Sequence, residues 1–187
     1  MKKIIMMLVA CCLPLFAVMA QNIQEPKYIG EVLLLTSDST AVDLEKKTAE
    51  VKSKAGISMK LTGFGSIKTH LHVEGPQSAV RIGSDKQPIT LLVKVHDNQV
   101  EPGELISVFT FEKRKKERRA ELNSVTTFLG ASADNLNYVG YTAEQYGESC
   151  FIVTLEQIVP GELGILVNNP EYSGGSTSIP VRCLGID

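Results

Sequence analysis

Ile67-Lys68-Thr69-His70-Leu71-His72-Val73-Glu74 decides the fold class. Side chains leave a β-strand to alternate faces, so Ile67, Thr69, Leu71 and Val73 share one side, and Lys68, His70, His72 and Glu74 the other. One face suits a core and the other water, which is how a half-buried strand reads. The same period recurs upstream in Tyr28 to Thr36 and Ile57 to Thr62. Downstream it returns in Ala79 to Gly83, Ile89 to His96, Leu105 to Glu112, Arg119 to Thr126, Asn137 to Thr142, Ser149 to Leu155, Leu163 to Asn168 and Ser178 to Gly185. Each run is short and ends at Gly, Pro, Asn, Asp or Ser, the residues that reverse a chain. The spacing predicts an all-β protein built as a sandwich or barrel.

Only Val42 to Ala55 invites a different assignment, because it is rich in helix formers and Gly56 stands where a helix would stop. Its apolar residues, Val42, Leu44, Ala49 and Val51, do not repeat at helical spacing. Two polar edge strands are expected there, with a helix as the alternative. Gly75-Pro76-Gln77-Ser78 is the best internal break. It leaves a small β-meander over residues 21–75 and, over 76–187, a segment of about the size of an immunoglobulin-like β-sandwich, ~100 residues. The boundary is soft, and one continuous domain is the alternative. The chain contains no Trp and no tyrosine corner, so a sandwich here is not of the antibody type. Gln99-Val100-Glu101-Pro102-Gly103-Glu104-Leu105 is echoed by Gln157-Ile158-Val159-Pro160-Gly161-Glu162-Leu163. Both Pro-Gly pairs are expected to form type II turns, proline fixing φ at the first central position and glycine taking positive φ at the second.

The first twenty residues bear on location. Lys2 and Lys3 precede an apolar stretch, Ile4 to Met19, that ends in Val18-Met19-Ala20 before the polar Gln21. This is the pattern of a secretory signal peptide cut after Ala20. The stretch is shorter than the ~20 residues that span a bilayer, and no later run qualifies as a transmembrane segment. A rival reading takes Leu8-Val9-Ala10-Cys11 as a lipobox and makes Cys11 a lipid-anchored terminus. It would leave Cys12 to Ala20 as an apolar tail, so cleavage after Ala20 is preferred. The expectation is an exported protein, periplasmic or extracellular.

Removing residues 1–20 takes Lys2 and Lys3 from 19 basic residues, leaving 17 against 21 acidic ones and a net charge near −4. Phosphate backbones demand a clustered positive surface, so nucleic acid is not expected as a partner. Two cysteines remain, Cys150 and Cys183, and an oxidising compartment permits a disulfide between them. Strand parity sets Cys183 beside Ile179 and Val181 but Cys150 opposite Phe151, Val153 and Leu155, so separate thiols are the alternative.

Three groups of residues are candidate sites. His70 and His72 leave one face of their strand as a His-x-His metal pair would, with His96 as the only further histidine. Their neighbours Lys68 and Glu74 are polar, so a solvated surface accounts for them without a metal. Lys113-Arg114-Lys115-Lys116-Glu117-Arg118-Arg119 is the densest charge in the chain and the candidate anion site, set against the plain reading of a solvated hairpin tip. Gly63-Phe64-Gly65-Ser66 is a lone Gly-x-Gly, and no nucleophile elbow or catalytic triad can be assembled. No cofactor is implied.

The Pro160-Gly161-Glu162-Leu163 turn, the ending Cys183-Leu184-Gly185-Ile186-Asp187, and upstream Ser78-Ala79-Val80-Arg81-Ile82 and Tyr146-Gly147-Glu148-Ser149 resemble exported bacterial β-proteins that close on a PGE turn and a Gly-Ile-Asp tail. The resemblance implies export and a β-fold and carries no activity. The expected function is therefore non-enzymatic: a binding, adhesion or cell-envelope accessory module for a protein or glycan. The alternative is a metal-dependent hydrolase using His70, His72 and His96.

Overall fold

The computed structural model describes residues 23–36, 40–55, 60–61, 66–86, 88–126, 131–156, 159–168 and 178–187, with the side chains of 123–126 and 131–134 excepted. The signal segment with Cys11, most of Ile57 to Thr62, and Gly63 to Gly65 lie outside the described residues. Lys60 and Leu61, which are described, are helical rather than extended.

The elements in chain order are β1 (Val32–Leu35), β2 (Ala41–Asp43), β3 (Glu45–Ala55), β4 (Ser66–Glu74), β5 (Arg81–Ile82), β6 (Thr90–Lys94), α1 (Pro102–Leu105), β7 (Ile106–Lys113), β8 (Glu117–Thr126), β9 (Ala131–Asp134), β10 (Tyr141–Tyr146), β11 (Cys150–Leu155), β12 (Gly161–Val167) and β13 (Ser178–Ile186). The fold is all-β. One sheet is open, five-stranded and antiparallel, in the order β10-β11-β6-β1-β2. The other runs β12-β7-β8-β4-β3-β13 and closes by pairing β13 back to β12, which makes a six-stranded barrel. β5 joins β13 in parallel, and β9 pairs with β8. Closure removes the barrel's free edges at all but one place. β7 and β8 share only the pairs Glu112 with Arg119 and Lys113 with Arg118. Beyond these they part, and residues 135–139 fill the seam. Thr110 N–H donates to Asn137 O at 2.9 Å, Val139 N–H to Val108 O at 2.8 Å and Asn135 N–H to Leu122 O at 3.2 Å.

Alternation sorts the barrel strands into an inner and an outer set. Ala49, Leu71, Val73, Phe109, Phe111, Ala120, Val181 and Cys183 fill the barrel as one buried cluster. The outward residues of three of these strands, Ile106 and Val108 on β7, Leu163 and Ile165 on β12, and Leu184 and Ile186 on β13, meet the open sheet. There they pack against Val32, Leu34, Leu91, Val93, Phe151, Val153 and Leu155 in a second core. Burying a Leu, Ile or Phe side chain is worth about 1.5–3 kcal/mol. These two clusters hold the sheets together.

The expected organisation is corrected in three respects. β2 is an edge strand, but β3 is paired on both sides, with β4 and β13, because its inward Ala49 and Val51 are needed inside the barrel. The Gly75–Ser78 break does not separate two folding units: β1 and β2 pair within the sheet of β6, β10 and β11, and β3 and β4 lie within the barrel of β7, β8, β12 and β13. Pro102-Gly103 opens the single helical turn α1, with proline in the first turn, where its missing N–H costs nothing. No helix among the described residues is long and apolar enough to cross a membrane.

Candidate functional site

The three histidines are not brought together. His70 and His72 project from the outer face of β4 with ring centroids 6.0 Å apart. Each faces a carboxylate of β8: His72 Nδ1 lies 3.2 Å from Glu117 Oε2, and His70 Nε2 lies 3.8 Å from Glu121 Oε2. Lys68 Nζ holds the same Glu121 oxygen at 2.9 Å and pulls that carboxyl below its ordinary range. Burial, with Arg119 nearby, holds the His70 imidazole below its usual value. His96 follows β6 in the open sheet. The hydrolase site expected from His70, His72 and His96 therefore lacks its third ligand, since no group of three metal-binding side chains occurs among the described residues.

The basic run divides. Arg114 and Arg119 both clasp Glu112, at 2.5 and 2.9 Å. Lys113, Lys115 and Lys116 are exposed around the β7–β8 turn. Arg118 is not part of that surface. It shares the inward face of β8 with Ala120, and none of it is accessible to solvent. Its Nε donates to Gly75 O at 3.2 Å and its Nη2 to Glu45 Oε2 at 3.2 Å, while Nη1 donates to Ser78 Oγ and lies 3.5 Å from Glu162 Oε2. Ser78 passes the contact on, giving its N–H and O–H to Glu162 Oε2 at 2.7 and 2.6 Å. Arg81 completes the chain, bonding Glu162 Oε1 at 2.5 Å and Asp187 Oδ1 at 2.6 Å. This network plugs one end of the barrel and satisfies every charge in it, as buried ions require. Arg118 thus leaves the anion-site candidate for the core.

Cys150 and Cys183 are separate buried thiols. Cys183 points into the barrel and Cys150 belongs to the open sheet, so the expected bridge does not form. Burial pushes both thiols up to about 12, which leaves them unreactive at neutral pH. Cys150 Sγ lies 3.5 Å from Glu25 Oε2, whose carboxylate also takes Lys94 Nζ at 2.6 Å.

A further concavity lies elsewhere, where the two sheets meet. A groove of about 620 Å³ runs between α1 with the start of β7 and the segment from Tyr138 to Ala143. Val139, Tyr141 and Ala143 are half-buried along it, Tyr138 stands 54% exposed at its side, and Glu101 sits on its rim. Tyr141 is locked in place, its hydroxyl donating to Ile106 O at 2.7 Å with Pro102 O a further acceptor 3.1 Å away. Burial and the charge of Glu101 raise its phenol above the usual range, so it stays neutral. A volume of this size falls within the range of ligand sites, about 300–1,000 Å³.

No protein-family model, curated protein or solved structure matches the chain. The site is therefore defined by its own geometry.

The sequence carries one sign of this groove that strand periodicity does not show. From Ala120 to Val181 the chain has no Lys or Arg but seven carboxylates, and between Lys94 and Lys113 there are again only acids and His96. These stretches supply β7, β10, β11, β12 and the groove, whereas the lysines gather on β3, β4 and the β7–β8 turn.

Proposed function

We propose that the protein is an exported, non-enzymatic binding module that takes its ligand in the groove between α1–β7 and residues 138–143. The groove carries this reading: a cavity of ligand size, floored by apolar and aromatic side chains. Export rests on the segment from Lys2 to Ala20, and the working place is the periplasm or the cell exterior. The open sheet packs on β7, β12 and β13 as a second layer, as in a sandwich. We propose that 76–187 is related to the immunoglobulin-like sandwiches.

Glycan and peptide arrays probed with the wild type, Ala143→Arg and Lys116→Ser test the reading. Ala143→Arg places a long cation in the groove, and Lys116→Ser alters the exposed basic β7–β8 turn. Signals lost only with Ala143→Arg support the groove. Signals lost only with Lys116→Ser would move the binding face to the barrel.

A further inference from the structure

β10 is the end strand of the open sheet and pairs only with β11 among the described residues. The register says which of its backbone groups are spare. Glu156 N–H donates to Gly140 O, so 140 and 156 form a hydrogen-bonded pair, and in an antiparallel ladder such pairs alternate with non-bonded ones. Thr142, Glu144 and Tyr146 therefore spend their N–H and C=O groups on β11. Tyr141, Ala143 and Gln145 turn theirs away from it. The same alternation at β11 sends Leu155 N–H to Ile89 O at 3.0 Å, on the β6 side, which agrees with this phase. The outward row borders the groove, and Tyr141 and Ala143 line that groove with their side chains.

We infer that β10 accepts an extended, basic polypeptide segment as an added strand, with alternate apolar side chains of the segment entering the groove. This inference rests on the groove reading above and names its ligand class. Edge strands with free N–H and C=O groups are templates for an incoming strand, and natural proteins that avoid such pairing protect the edge with lysine, proline or a bulge. β10 (Tyr-Thr-Ala-Glu-Gln-Tyr) has none of these. Parity then writes the ligand. Residues that point the way of Tyr141 and Ala143 meet the apolar floor. Those that point the way of Thr142 and Glu144 run beside an exposed carboxylate. Glu101 at the rim, Glu144 on the strand and Glu156 beside Gly140 take part in no ion pair among the described residues, and Lys94, two strands in from β10, is spent on Glu25. Lysine or arginine at the outward positions of the segment supplies that charge.

The test uses an eight-residue fluorescent peptide of alternating Lys and Val, its Glu-Val counterpart, and the Lys-Val peptide N-methylated at alternate residues. Binding is followed by anisotropy. The Lys-Val peptide should saturate, with the Glu-Val peptide at least tenfold weaker and the N-methylated peptide no better than background. In the protein, Ala143→Pro removes an outward donor and leaves the β10–β11 bonds intact, since proline is tolerated on an edge strand. It should abolish binding, and Glu144→Lys should weaken it several-fold. If Ala143→Pro does not fold, the N-methylated peptide decides alone. Equal binding of the N-methylated peptide would overturn strand addition and leave the groove reading standing. Concentration-dependent self-association that Ala143→Pro abolishes, with no peptide bound, would assign the edge to a second copy and overturn the inference. Loss of the array signals in Ala143→Arg with all three peptides failing would retain the groove and reject the basic strand.

Discussion

Replacing Arg118 by Met should cost about 3–5 kcal/mol, the range for removing one partner of a buried ion pair. The size follows from what the guanidinium leaves behind. With no part of it accessible, it is the counter-charge for Glu45 and Glu162 inside the barrel end, and it satisfies Ser78 Oγ and Gly75 O. Methionine fills the volume of the stem but meets none of these acceptors, and of the two carboxylates Arg118 served, Arg81 reaches Glu162 alone. In a chain of this length each kcal/mol lowers Tm by about 2–4 °C, so a fall of roughly 10 °C is expected. Guanidinium denaturation followed by far-UV circular dichroism gives the free energy directly, with the slope m unchanged if the barrel still unfolds as one unit. The double variant Arg118→Met with Glu45→Gln should lose less than the sum of the two singles, because Glu45 and Arg118 are in contact and neutralising Glu45 removes a carboxylate left with only Lys47 and the Ala79 N–H. Lys115→Ser and Lys116→Ser, only a few residues away, should stay within about 0.5 kcal/mol. A loss below about 1 kcal/mol for Arg118→Met would mean that its head is hydrated, as at a solvated hairpin tip, and would refute the plugged barrel.

The same network sets an acid limit. Burial raises the Glu162 carboxyl, but the bonds from Ser78 and Arg81 together outweigh it and hold the folded value below the ordinary 4.5. The unfolded chain then takes up protons first, so the contribution is fully present at neutral pH and is lost as pH falls through the ordinary and then the folded value. Denaturation midpoints at pH 7, 5 and 3.5 should fall in that order, and Glu162→Gln should flatten the fall. Iodoacetamide should leave the native protein unmodified and add two groups to the chain from Gln21 to Asp187 once it is denatured without reductant, as read by mass. Gly164→Ala should lose about 1–3 kcal/mol by chemical denaturation through overpacking, since a Cβ there would stand 2.5 Å from Phe109 Cζ and 2.6 Å from Phe111 Cε2.

Much of the strand content was legible because period two is a local signal: β4, β8, β11, β12 and β13 fall where alternation puts them. Topology was not, since pairing across the Gly75–Ser78 break depends on which apolar faces meet in space. β3 shows why. Glu45 and Lys47 share a face with Ala49 and Val51, a pattern that reads as a polar edge until the barrel interior beside it proves to contain Arg118 and Glu162. Arg118 was readable in principle. It stands two residues before Ala120 and four before Leu122 on the inward face of β8, and parity alone separates it from its basic neighbours. The density of charge in the run concealed that parity. The groove was out of reach of any local pattern, because residues 101–108 and 138–143 build it from opposite sides of a seam, although the absence of Lys and Arg from 120 to 181 marked its charge.

Amide hydrogen exchange, resolved by residue and run with and without the Lys-Val peptide, tests the binding edge most directly. New protection is expected at Tyr141, Ala143 and Gln145, whose amides face away from β11, with Thr142 and Glu144 little changed because they are already bonded. Protection that appears instead at His70, His72 and the β7–β8 turn, with Tyr141, Ala143 and Gln145 exchanging as before, would contradict it.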